Sequence, residues 1–276
     1  MSKPTRISAL FERLRGEGRP GLIAYLTAGD PDPERTPSLV AALERGGVDL
    51  VELGVPFSDP IADGPVIQRA SDRSLGAGTT LAGVLRIAGN IRRQSEIPLV
   101  LFSYLNPLLR FGLEKLGREA VAAGIDGCLM TDLSVEEAEA RLEPLRRHNL
   151  DTVFMAAPTS TRRRLELVAR YSTGFVYLVA RTGVTGERER LSDAVAPLAA
   201  AMREVTALPL AVGFGISRPD QAAEAGRLAD AVVVGSAFVR LVEQYGASAS
   251  LEVQLEALAR ELKHALHRTK MAPRTL

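Results

Sequence analysis

Eight short, near-continuous apolar runs, separated by stretches patterned as helices, limit what this chain can fold into more than any other feature. The runs lie near residues 22–27, 50–54, 99–104, 127–131, 152–156, 174–179, 210–213 and 231–234. Most do not alternate polar with apolar residues, which is the pattern of parallel strands buried on both faces. Helical patterns cover stretches such as 37–44, 113–123, 135–147 and 193–205, and several stop at glycine, as in Arg45-Gly46-Gly47 and Ala123-Gly124. Strands alternating with helices imply right-handed βαβ units in a parallel sheet. Eight repeats in 276 residues favour closure into a (β/α)8 TIM barrel over an open doubly wound sheet. The expected α/β architecture is a single domain over 1–276, with the barrel at about 20–245. Amphipathic helices at about 5–16 and 249–268 are read as caps.

Composition narrows the function classes. A net charge of +1 gives no electrostatic reason to expect nucleic acid or a membrane surface as partner. The apolar runs are strand-length, far short of a membrane span. A single cysteine, Cys128, excludes an internal disulfide and suits a reducing compartment. Residues 1–6 are polar and lead into no run of signal-peptide type, so the expected location is cytoplasmic.

In such a barrel the chemistry belongs to residues just past the strand C-termini. The four lysines (Lys3, Lys115, Lys263 and Lys270) do not follow strands, which argues against a Schiff-base aldolase. The three histidines, His148, His264 and His267, fall in helical stretches. No transition-metal site and no Ser-His or Cys-His nucleophile is therefore expected, and Cys128, inside the fourth run, reads as a core thiol. Carboxylates remain. Glu52 lies within the second apolar run, where an ionisable group is costly to bury. Either a buried hydrogen-bond network satisfies it, or it works as a general acid or base whose pKa burial has raised. The loop that follows carries three prolines, two glycines, Asp59 and Asp63. Asp59 precedes Pro60 and suits a turn; Asp63 is the stronger site candidate.

Three glycine-bearing loops read as a phosphate cradle: Arg181-Thr182-Gly183-Val184-Thr185-Gly186, Gly213-Phe214-Gly215-Ile216-Ser217 and Gly235-Ser236-Ala237-Phe238. Glycine lets backbone N–H groups approach an anion, and a helix N-terminus adds its dipole. Arg162-Arg163-Arg164 reads as a solvated helix face, while Arg181, Arg188 and Arg190 suit either an anion or solubility. Tyr25, Tyr104 and Tyr177 fall late in strands, with core packing and ligand contact equally open to each.

The string Glu52-Leu53-Gly54-Val55-Pro56-Phe57-Ser58-Asp59-Pro60-Ile61-Ala62-Asp63-Gly64-Pro65 resembles the signature of the tryptophan synthase α chain family. The likeness continues through Leu26-Thr27-Ala28-Gly29-Asp30-Pro31, Gly183-Val184-Thr185-Gly186, Gly213-Phe214-Gly215-Ile216-Ser217 and Gly235-Ser236-Ala237, and so covers nearly the whole chain. The resemblance implies retro-aldol cleavage of indole-3-glycerol phosphate to indole and glyceraldehyde 3-phosphate. Glu52 would then be the general acid–base, and Asp63 would accept from the indole N–H and stabilise charge on the ring. Tyr177 would line the glycerol end, Phe214 and Leu129 would sandwich the indole, and Tyr25 and Phe102 would lie nearby. Gly186, Gly215, Gly235 and Ser236 would hold the phosphate, and Thr185 would help order Asp63. The resemblance further implies an α2β2 heterotetramer with a β subunit that carries pyridoxal phosphate, none being bound by this chain. Residues 54–63 and 181–189 would lie at or near that interface.

Two positions depart from the family pattern: Ser134 where proline is common after Asp-Leu, and Ala180 where serine is frequent. Alternatives that share the fold are a stand-alone indole-3-glycerol phosphate lyase releasing free indole and a catalytically silent barrel that activates a β subunit.

Overall fold

A computed structural model of the protein describes residues 4–179, 191–213 and 215–269. Eight strands, β1 (Gly21–Thr27), β2 (Leu50–Gly54), β3 (Leu99–Ser103), β4 (Gly127–Met130), β5 (Asp151–Ala156), β6 (Val176–Val179), β7 (Leu210–Gly213) and β8 (Ala231–Val234), pair in sequence order. Every pairing is parallel, and β1 pairs with β8 to close the barrel. The expected helices 37–44, 113–123 and 193–205 correspond to Thr36–Arg45, Leu113–Ala122 and Leu191–Arg203. The stretch 135–147 is a 3-10 turn, Val135–Glu137, running into the helix Ala138–Arg147. Between β2 and β3 the chain builds two helices, Pro65–Gly76 and Leu81–Arg92, because Gly76-Ala77-Gly78 stops the first and Thr80 caps the second through Gly83 N–H.

The near-continuous apolar runs divide by face. Ile23, Tyr25, Leu50, Val100, Phe102, Leu129, Val153, Tyr177, Ala211 and Val233 form one buried cluster inside the barrel. Their neighbours, among them Leu22, Ala24, Val51, Leu101, Cys128, Val176, Val212 and Val232, form another between the barrel and its helices. A strand alternates its faces, so both sets must be apolar when both faces are covered. Cys128 lies in the outer cluster, where burial pushes its thiol up to about 12, as expected of an inert core residue.

The two terminal helices have different positions. Arg6–Glu17 buries Ile7, Leu10, Phe11 and Leu14 in the inner cluster, with the Phe11 and Phe175 rings 5.7 Å apart, and so plugs the end where the strands begin. Leu251–His267 instead packs its Leu251, Leu255, Ala259, Leu262 and Leu266 stripe against the outer helices Thr36–Arg45 and Pro219–Gly226.

That same end is tied by a fourfold pattern. A residue just before each even-numbered strand accepts a backbone N–H at the start of the preceding odd strand: Asp49 from Leu22 (2.8 Å), Asp126 from Leu99 (2.8 Å), Thr173 from Thr152 (2.9 Å) and Asp230 from Leu210 (2.7 Å). Each donates its own backbone N–H to the carbonyl of the same partner. The three aspartates are buried, and cations neutralise them: Arg19 and Lys263 on Asp49, Arg6 and Arg92 on Asp126, Arg203 on Asp230. Replacing Asp49 with alanine leaves the buried Lys263 ammonium and the Leu22 N–H without their partner. The expected loss is ~3–5 kcal/mol in urea unfolding, with unchanged activity per folded molecule because the site lies at the opposite mouth. An unaltered urea midpoint would show that the clamp adds nothing to stability.

Candidate active site

Glu52 is the third residue of β2, in register with Tyr25 on β1 and Val100 on β3. That register turns its carboxyl into the barrel with them, where the residue is 1% exposed. Its Oε1 atom has no hydrogen-bond partner among the described residues. A buried network among the described residues thus leaves at least this oxygen without a partner. Desolvation raises the carboxyl from 4.5 to about 8.

Asp63 lies in the loop after β2, one residue before the Gly64 that caps the helix Pro65–Gly76. The loop is folded by Asp63 N–H donating to Pro60 O (3.0 Å) and by Gln68 Nε2 donating to Asp63 O (2.9 Å). The Tyr104 hydroxyl donates to Asp63 Oδ2 at 2.9 Å and accepts from Ala62 N–H at 2.9 Å. Burial raises the Asp63 carboxyl to about 6, with the Tyr104 hydrogen bond acting in the opposite direction. Asp59 is exposed and accepts from the neighbouring Ser58 hydroxyl at 2.6 Å.

Tyrosines lie near both groups. Tyr25 and Tyr177 are both buried, and both carboxylates act on their hydroxyls, helping burial to hold the phenols well above their ordinary pKa. Tyr25 meets Phe102 edge-to-face, with centroids 5.1 Å apart. Two glycines make these positions available. A Cβ on Gly54 would sit 2.2 Å from the Tyr25 hydroxyl oxygen, and one on Gly213 would sit 1.9 Å from that of Tyr177. Gly213 was expected as part of an anion loop; in the structure its missing side chain is what admits Tyr177. Leu129 on β4, fully buried, is in register with Phe102 on β3.

Of the glycine-bearing loops read from the sequence as a phosphate cradle, the one after β7 has Gly215 at φ +84°, the left-handed region that favours glycine. Gly235 caps the helix Ser236–Tyr245 immediately after β8 with no side-chain cap, and Ser236 opens it, so the helix N-terminus lies at the C-terminal end of that strand. Thr185, Gly186 and Phe214 lie outside the described residues, as do Ala180, Arg181, Arg188 and Arg190. Arg162 pairs with Glu166 and Glu204, and Arg164 with Glu136, on an exposed helix face as expected. Among the described residues no group of three or more His, Cys, Asp or Glu is arranged to hold a metal ion. Nor is any helix among them long and apolar enough to cross a membrane.

In the sequence Tyr104 stands out only as one of three late-strand rings. Its place directly after β3, level with the loop that carries Asp63, becomes visible only with the barrel closed.

The sequence matches the family model described as tryptophan synthase alpha chain over residues 11–267. It is 69% identical over 259 residues to the tryptophan synthase alpha chain of Solibacter usitatus, covering 94% of this chain and 97% of that one. It is 48% identical over 244 residues to the tryptophan synthase alpha chain of Geobacter sulfurreducens, covering 88% and 92%. Among solved structures it is similar to tryptophan synthase subunit alpha from Legionella pneumophila, with 34% identity, a TM-score of 0.86 and coverage of 96% and 99%. A chain of Mycobacterium tuberculosis tryptophan synthase gives 34% identity and a TM-score of 0.87, with 96% and 99% covered. Likeness that runs from the first helix to the last, at identities far above what a shared barrel alone would produce, means that the chain belongs to the tryptophan synthase alpha chain family.

Proposed function

We propose that this chain cleaves indole-3-glycerol phosphate to indole and glyceraldehyde 3-phosphate as a tryptophan synthase α chain, with Glu52 and Asp63 as its working carboxylates. The observation that carries the assignment is the Glu52 carboxyl, buried in the barrel with an oxygen that has no partner among the described residues and raised to about 8. A structural glutamate would be paired; a proton-transfer group must keep a free oxygen for its substrate. This also weighs against a catalytically silent barrel.

In this reading neutral Glu52 gives its proton to the indole ring carbon that bears the glycerol chain. The resulting carboxylate takes the proton of the adjacent glycerol hydroxyl, the carbon–carbon bond breaks, and the aldehyde forms as indole leaves. Glu52 ends protonated, ready for another cycle. Ionised Asp63 accepts from the indole N–H and stabilises the positive charge that ring protonation creates. Leu129, Phe102, Tyr25 and Phe214 enclose the indole, Tyr177 lies by the glycerol, and Gly186, Gly215, Gly235 and Ser236 bind the phosphate. Thr185 helps order Asp63. The partner is a β subunit that carries the pyridoxal phosphate, met by residues 54–63 and 181–189 in an α2β2 assembly.

The test is indole release from indole-3-glycerol phosphate by the purified chain, with and without a β subunit, across pH. Slow release that the partner accelerates supports the α-chain role; fast release without a partner would reassign the chain as a stand-alone lyase. No release in either condition would sink the catalytic reading. For kcat/KM the sign follows from the two carboxyls of the free enzyme. Activity should rise through about pH 6 as Asp63 ionises, and fall through about pH 8 as Glu52 loses the proton it must donate.

A further inference from the structure

We propose that Tyr104 is a positioning residue for this reaction, its single hydroxyl fixing both the Asp63 carboxylate and the backbone of the loop that carries it. The inference rests on the reading of Asp63 as a working carboxylate. Tyr104 follows β3 directly, is 3% exposed, and touches the second loop at two places. Its ring lies 5.1 Å from that of Phe57, near the start of the loop, with the planes 33° apart. Its hydroxyl accepts from Ala62 N–H at 2.9 Å and donates to Asp63 Oδ2 at 2.9 Å, near the end.

The direction of the second hydrogen bond follows from the first. A phenol that already accepts a backbone N–H has its proton free for the carboxylate, so it stabilises Asp63 in its ionised form. The base of Tyr104 is fixed as well. Asp132, after β4, accepts from Leu105 N–H at 2.6 Å and ties the start of the helix Leu105–Phe111 to the neighbouring strand. The loop is thus held by a side chain whose own backbone is anchored across two strands. The charged and titratable groups that face this pair are Tyr25 from β1, Glu52 from β2, Asp132 from beyond β4 and Tyr177 from β6. Among these described groups none bears a positive charge, and the Tyr104 hydrogen bond is what favours the ionised form of Asp63 against its burial.

Tyr104→Phe keeps the ring against Phe57 and removes only the hydroxyl. Expected is a fall in kcat of roughly 10- to 100-fold with little change in KM, the size of one lost hydrogen bond to a charged group. The acidic limb of the pH profile should move to higher pH. The kcat loss should vanish when Asp63 is already asparagine, since Tyr104 acts through that carboxylate. An unchanged kcat and limb, or an equal loss in the Asp63→Asn background, would overturn the proposal in favour of a merely structural tyrosine. A second readout needs no reaction: carbon NMR titration of the Asp63 carboxyl in the free protein, wild type against Tyr104→Phe. An upward shift in the variant is expected, and coincident curves would overturn the proposal. Wild-type chain that released no indole would fail the functional reading, while this titration would still decide the role of Tyr104.

Discussion

Glutamine at position 52 is expected to lower kcat for indole release by about 10²- to 10⁴-fold while leaving substrate affinity nearly unchanged. The amide has the volume and shape of the carboxyl and neither gives nor takes a proton at the reacting atoms. The same substitution should make the protein more stable, in a pH-dependent way. Burial raises the folded-state carboxyl from 4.5 to about 8, so the native chain holds its proton more tightly than the unfolded chain does. Below the unfolded value both states are protonated and the site costs nothing. As pH rises the unfolded chain ionises first, and wild-type stability declines relative to the variant until the folded group also ionises near 8. Each pH unit between those two values weakens the wild type by about 1.4 kcal/mol, so the gap above pH 8 is on the order of a few kcal/mol. Thermal unfolding of both proteins at pH 5 and pH 8.5 measures it. A variant that retains the wild-type rate, or a Tm gap that narrows with rising pH, would contradict the role assigned to Glu52. Lost activity with gained stability is the mark of a strained catalytic group.

Asparagine at position 63 is the second large effect, about 10²- to 10³-fold in kcat, which is the usual size of removing one preorganised electrostatic stabiliser. The side chain keeps its volume, and its amide oxygen still accepts from Tyr104. What disappears is the negative charge beside the protonated indole. Because the Asp63 carboxyl sits near 6, its removal should also abolish the acidic limb of kcat/KM, leaving activity flat from pH 5 to about 7. If the limb near 6 persists in the variant, another group titrates there and Asp63 is not the ionising stabiliser. The contrast with Glu52 lies in the surroundings: Asp63 is half-buried and receives a hydrogen bond, so burial raises it less.

Much of the architecture was legible in the chain because parallel strands covered on both faces need near-continuous apolar runs. Eight such runs appeared at the places where β1 to β8 form, most of them within a residue or two at each end. Glu52 was legible for the converse reason, as an ionisable group in a run that should hold none. Asp63 was separated from Asp59 by turn chemistry alone; in the structure Asp59 is exposed and Asp63 accepts from the Tyr104 hydroxyl. The paired helices between β2 and β3 were harder to foresee, since two short helices and one long one share the same period.

What only the tertiary structure decided are relations between residues distant in the chain. No local pattern shows that Gly54 and Gly213 are glycine because the Tyr25 and Tyr177 hydroxyls occupy the space a Cβ would fill. The aspartates that clamp the strand starts are visible in Gly-Gly-Val-Asp49 and Gly-Ile-Asp126, but their partners Leu22 and Leu99 lie 27 residues away. The hydroxyl of Tyr104 reaches Asp63 across 41 residues for the same reason. Hydrophobic periodicity is set by which face of an element is buried, and a sequence carries that locally. Whether a buried carboxyl finds a partner depends on which strands close beside it, and that is settled only when β8 meets β1.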